Sequence, residues 1–119
     1  MGLSIEQEKG NIVVLRITDL LKKSDFDALT AAAEKKMKPA DNFKMLIILS
    51  NFKGWEKAEG WGDLTFYSKH GDQIVKIAIV GDPKWETEFK MFTGAGFRLA
   101  PVDYFTPNEL EDARKWLAE

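Results

Sequence analysis

The chain has 119 residues, 45% hydrophobic and 30% charged, enough to bury one core and too few for two. Its 17 Lys+Arg against 19 Asp+Glu leave a net charge of -2, so it offers nucleic acid no uniform basic field. The absence of Cys excludes a disulfide framework, a zinc–thiolate site and a thiol nucleophile, and no apolar run approaches the roughly 20 residues of a membrane-spanning helix.

The amino terminus, M-G-L-S-I-E, lacks a basic region followed by an apolar one, and Glu6 stands where a myristoylation signal wants Ser or Thr. A cytoplasmic location is the expectation. Leu3 to Gln7 and Ile12 to Ile17 are strand-like and are separated by a turn whose Gly10-Asn11 pair accepts positive φ, which predicts a hairpin. Ser24 is placed to cap a helix with Asp25 and Asp27 in its first turn, and Phe26, Leu29, Ala33 and Met37 follow along one face. Pro39 stops that helix. The chain then turns on K-M-L-I-I-L-S-N-F-K-G-W, Lys44 to Trp55: Met45 to Leu49 has no polar alternation and suits a central parallel strand covered on both faces.

A helix is expected from Trp55 or Glu56 to His70, ended by Gly71. Ile74 to Val80 reads as another parallel strand, in which Lys76 must snorkel or lie near an end. Asp82-Pro83 is a cap and first helical residue, followed by Trp85, Phe89 and Phe92 at helical spacing. Phe97 to Tyr104 reads as a strand, which Pro101 assigns to a sheet edge. Thr106-Pro107-Asn108-Glu109 is a capping box for a last helix that buries Leu110, Ala113 and Leu117. The order is ββαβαβαβα: an α/β domain, its mixed, mostly parallel sheet carrying an amino-terminal hairpin and flanking helices.

Aromatic residues make up 12% of the chain, with 4 Trp among them, more than so small a core obviously requires. On the expected 55–70 helix, Trp61 and Leu64 share a face, whereas Trp55, Phe66 and Tyr67 lie about 120° to 140° away from Trp61. One buried face cannot hold them all, so this helix is expected to show apolar surface to a ligand, a membrane or a second subunit. The competing reading covers Trp55 and Phe66 with a neighbouring loop or a dimer partner. Trp85, Phe89 and Phe92 form a second cluster, read either as ordinary core or as one wall of an apolar cavity opened by moving the 55–70 helix on Gly54, Gly60, Gly62 and Gly71. Asn51 and Lys53, just past the central strand, are placed to meet an anion at a helix start, although Lys53 also reads as a solvated lysine. His70, the one histidine, has no spaced partner for acid–base work. No catalytic, metal or cofactor motif is present.

Three segments resemble the SpoIIAA-like proteins, relatives of the STAS domains: Gly54-Trp55, the strand I-V-K-I-A-I-V-G-D with Trp85 just beyond it, and Glu109 through Ala113 to Trp116-Leu117. The resemblance implies a STAS-type sheet, no enzymatic chemistry, no cofactor, and carriage of a small hydrophobic ligand, with peripheral association at the inner membrane and a homodimer as further expectations. The alternative is a STAS-type protein–protein adaptor. Ser50-Asn51-Phe52-Lys53-Gly54 departs from the family pattern by lacking the phosphorylatable Asp-Ser pair that STAS antagonists carry there.

Overall fold

The computed structural model describes residues 3–8, 11–36, 42–57, 73–92 and 101–119. Their elements are β1 (Leu3–Glu8), β2 (Ile12–Leu21), α1 (Lys23–Lys36), β3 (Phe43–Trp55), β4 (Ile74–Val80), a 3-10 turn (Pro83–Trp85), α2 (Glu86–Phe92), β5 (Val102–Phe105), a second 3-10 turn (Pro107–Glu109) and α3 (Leu110–Ala118). The sheet order is β1-β2-β3-β4-β5, the first pair antiparallel and the other three parallel. The expected fold class is therefore what the chain adopts.

An apolar run without alternation needs cover on both sides, and β3 has it. Ile47 and Leu49 join Ile17, Ile77, Ile79 and Phe89 on one face, against which Phe26 and Leu29 of α1 also pack. Leu46 and Ile48 join Val14, Ala78 and Val80 on the other, beneath Ala113 and Leu117 of α3. Each fully buried Leu or Ile of this kind stabilises the fold by about 1.5–3 kcal/mol relative to an exposed one. Lys76 does snorkel: its Nζ donates to the Trp116 carbonyl at 2.5 Å and lies 4.5 Å from the centre of that indole ring. Lys44, its neighbour across the strands, donates to the Leu117 carbonyl, so two ammonium groups meet the negative end of α3.

The hairpin, the edge position of β5 and both caps also agree with the sequence reading. Asn11 takes φ 58 at the turn. Asp82 accepts from the Lys84 N–H at 3.0 Å, and Glu109 Oε1 accepts from both the N–H and the hydroxyl of Thr106, at 2.9 Å each. Pro101 stands just before β5, where its carbonyl accepts from the Ile77 N–H at 3.0 Å.

Four expectations need correction. Helix α1 starts at Lys23, so Ser24 lies inside the first turn and is not its cap. Trp85 belongs to the 3-10 turn ahead of α2. β2 continues to Leu21, four residues beyond the expected Ile17, and gives β3 a backbone partner past Ser50. As a result β3 runs to Trp55, and neither Gly54 nor Trp55 opens a helix. Glu56 and Lys57 are not helical either, and the remainder of the expected 55–70 helix, residues 58–70, lies outside the described residues.

Candidate functional site

The last third of β3 is irregular in a way that decides which side chains meet. Opposite β2, Thr18 pairs with Ser50, Asp19 with Phe52 and Leu20 with Gly54, so Asn51 and Lys53 are each one residue too many. These are β-bulges. Side chains on a strand alternate between faces, and every inserted residue inverts the alternation. Ile47 and Leu49 therefore share their face with Phe52 after one inversion and with Trp55 after the second, while Asn51 and Lys53 turn to solvent. Asn51 adopts φ 51, which a short polar side chain tolerates, and Gly54 adopts φ 105, where glycine meets no steric penalty.

Phe52 is consequently the hub of four rings. Its centroid lies 5.1 Å from Trp55, 4.8 Å from Trp85 and 5.1 Å from Phe89, with interplanar angles of 86°, 75° and 62°. Trp55 in turn lies 4.9 Å from Phe89 and 6.1 Å from Trp85. All but the tilted Trp55–Phe89 pair are edge-to-face, and such pairs contribute about 0.5–1.5 kcal/mol each beyond their buried area. Phe52 and Phe89 are buried, whereas Trp55 and Trp85 are half-buried. Gly54 lies under Trp85: a Cβ there would sit 3.4 Å from the indole Cη2. Leu20, opposite Gly54 on β2, is 40% exposed, and Met91 of α2 is 76% exposed.

The polar groups around the cluster are mostly occupied with one another. Lys53 is 3.4 Å from Asp19 in an exposed pair of little energetic weight. Lys90 donates to Glu86 at 2.8 Å, and Lys84 Nζ stands 5.5 Å from the Trp85 ring centre. The Tyr104 hydroxyl donates to the Asp82 carbonyl at 2.6 Å. Burial first, and then the charges of Asp82 and Glu86, push its pKa up to about 12. Among the described residues no group of three or more His, Cys, Asp or Glu side chains is placed to hold a metal ion.

Of the expected site residues, then, the fold brings together Trp55, Trp85 and Phe89. It adds Phe52, which the sequence reading missed; the three-residue spacing of Leu49, Phe52 and Trp55 around Asn51 was the available signal. Asn51 and Lys53 do not flank a helix start, because β3 has not ended there, and Gly54 is a strand residue beneath an indole. Trp61, Leu64, Phe66, Tyr67 and Gly71 lie outside the described residues, as does the side chain of Phe92 at the end of α2.

The SpoIIAA-like family model matches residues 12–118. Among solved structures, the chain is similar to an uncharacterized protein with a SpoIIAA-like fold from Shewanella loihica PV-4, with a TM-score of 0.71 and 22% identity, over 97% of this chain and 91% of that one. An identity at that level speaks for the fold alone. No curated protein matches.

Proposed function

This chain belongs to the SpoIIAA-like family, whose fold supports a binding or regulatory domain, and from that premise we propose that it is a non-enzymatic carrier of a small hydrophobic ligand. The four-ring cluster is its ligand-facing surface and the place where the protein rests on a membrane. One observation carries this reading: two half-buried indoles, Trp55 at the carboxyl end of β3 and Trp85 in the connection after β4, lie 6.1 Å apart against the buried Phe52 and Phe89, at the end of the sheet where open α/β folds bind ligands. Tryptophan suits such a boundary, having an apolar body and a polar N–H edge. Contact with the membrane is peripheral in this reading, since no helix among the described residues is long and apolar enough to cross one.

The test uses tryptophan emission and co-sedimentation with phosphatidylcholine vesicles, together with uptake of a fluorescent fatty acid. The native protein is expected to shift its emission to the blue and to take up the probe, and Trp85→Gln to weaken both about tenfold while leaving the far-UV spectrum intact. Absence of any shift, sedimentation or uptake in the native protein refutes the carrier. A STAS-type adaptor is the second reading, favoured by the outer edge of β1, where Ile5 is 41% exposed and β2 is the one strand partner among the described residues. Capture of a strand-forming peptide along β1 by the native protein, lost on Ile5→Lys, would support it.

A further inference from the structure

The two borders of the sheet are built differently. β5 has four residues and stands just behind Pro101, so it offers an incoming strand little length to pair with. β1 is the other border. Its six residues, L-S-I-E-Q-E, include neither Pro nor Lys, and they keep partners on β2 from Leu3 to Glu8 without a register shift. A straight edge that carries none of these guards is a template for another strand.

The charges along β1 are met from within the chain. Glu6 Oε1 lies 3.7 Å from Arg16 Nε, and Glu8 is paired with Arg114 of α3. Ser4, Ile5 and Glu6 are nonetheless exposed, Ile5 by 41%. Alternation along the strand sets Ile5 with Leu3 on the face that α1 covers, and Ser4, Glu6 and Glu8 on the face of α3. On β2, Arg16 stands opposite Ser4, and Val14 stands opposite Glu6.

We propose that the strand this edge accepts is β1 of a second copy of the chain, antiparallel about a two-fold axis at Ile5. In that register Ile5 lies over Ile5 of the second copy, and Ser4 lies opposite its Glu6. Arg16, one strand behind Ser4, then faces that Glu6 across a small side chain, over two strand spacings or about 10 Å between Cα atoms, which the two side chains together span. Each guanidinium bridges its own Glu6 and that of the other copy, and the four charges cancel. Other registers are worse. A shift one way sets Glu6 directly against Glu6, and a shift the other way leaves only Leu3 to Ile5 paired. The edge is thus complementary to itself in one register. A contact from Leu3 to Gln7 of each copy falls short of the roughly 1,200 Å² of a stable interface, so the dimer is weak and depends on concentration.

Sedimentation equilibrium of the full chain from about 10 μM to about 1 mM is expected to show a reversible dimer, weakened about tenfold or more by Ile5→Lys and by Glu6→Arg. Adding Arg16→Glu to Glu6→Arg reverses both charges and should restore it. The chain has no Cys, so Ile5→Cys supplies one thiol per copy, and opposed Cα atoms of antiparallel strands lie about 4.5–5.5 Å apart, inside the disulfide range. Oxidation is expected to link Ile5→Cys chains in pairs and to leave Glu6→Cys chains, whose thiols stand a diagonal apart, unlinked. A native protein that is monomeric over the whole range overturns the proposal, as does a dimer indifferent to Ile5→Lys or a charge reversal that restores nothing. The adaptor reading uses the same edge, but the proposal does not rest on it: a monomer that still captures a strand-forming peptide refutes self-pairing and leaves the adaptor in place.

Discussion

Gly54 bears two constraints at once. Its φ of 105 lies where a Cβ would crowd the backbone, and that Cβ would also sit 3.4 Å from the face of Trp85. The second constraint alone is ordinary van der Waals contact and would cost little; the dihedral is the term that decides. Gly54→Ala is expected to lower stability by about 1–3 kcal/mol, the cost of holding a residue with a side chain in a sparsely populated region, read from denaturant midpoints at constant slope. Because the strain falls where β3 meets the rings, the near-ultraviolet signal of the tryptophans should change in the folded variant as well. Phe52 illustrates the opposite kind of residue, important for what it touches and undemanding in backbone. It is easily missed as a site residue in the sequence, despite the Leu49, Phe52, Trp55 spacing, because Asn51 before it and Gly54 two residues on are residues that ordinarily end a strand.

For the strand as an element, the two bulges of β3 matter more than its length. An unbroken alternation after Leu49 would have turned Asn51 and Lys53 toward the rings and Phe52 toward the opposite face. Placing one extra residue at Asn51 reverses that, and the φ of 51 at this position is the local condition for it. Asn51→Gly is therefore expected to be neutral within about 0.5 kcal/mol, whereas Asn51→Val, β-branched and averse to positive φ, should cost about 1–2 kcal/mol. Thermal unfolding of both variants checks this. Equal losses in the two would mean that the Asn side chain, and not the dihedral, holds the bulge. The same device explains why the stretch reads as a helix start: two insertions convert a two-residue repeat into the three-residue spacing of Leu49, Phe52 and Trp55, which is close to a helical period. Where no insertion occurs, in Met45 to Leu49 and Lys76 to Val80, the apolar pattern and the observed strands coincide.

At the scale of the molecule, stability inherits the titration of groups whose environment changes on folding. Burial and the nearby charges of Asp82 and Glu86 raise the Tyr104 pKa to about 12 from the ordinary 10 of the unfolded chain. A raised pKa means that the folded state favours the protonated phenol. Its contribution is thus complete below pH 10 and is lost as pH rises from there through about 12. Global stability is expected to decline over that interval in the native protein and to decline less in Tyr104→Phe, as measured by denaturant unfolding at closely spaced alkaline pH values. Glu109 has the opposite sign: the Thr106 N–H and hydroxyl hold its carboxyl below its usual value, so the cap of α3 weakens as pH falls through the acidic range. Periodicity and capping chemistry determined much of the described architecture without help: the α/β class, its hairpin, the doubly covered strands, the edge position beside Pro101 and the capped turns at Asp82 and Thr106 are local or nearly local consequences of residue type. The run of β3 past Ser50 was decided by tertiary structure, because a strand lasts as long as a neighbour offers backbone partners, and β2, out to Leu21, is that neighbour. The four-ring cluster followed from the same contact, since only pairing with β2 fixes which residues of β3 are surplus and hence which face Phe52 and Trp55 occupy.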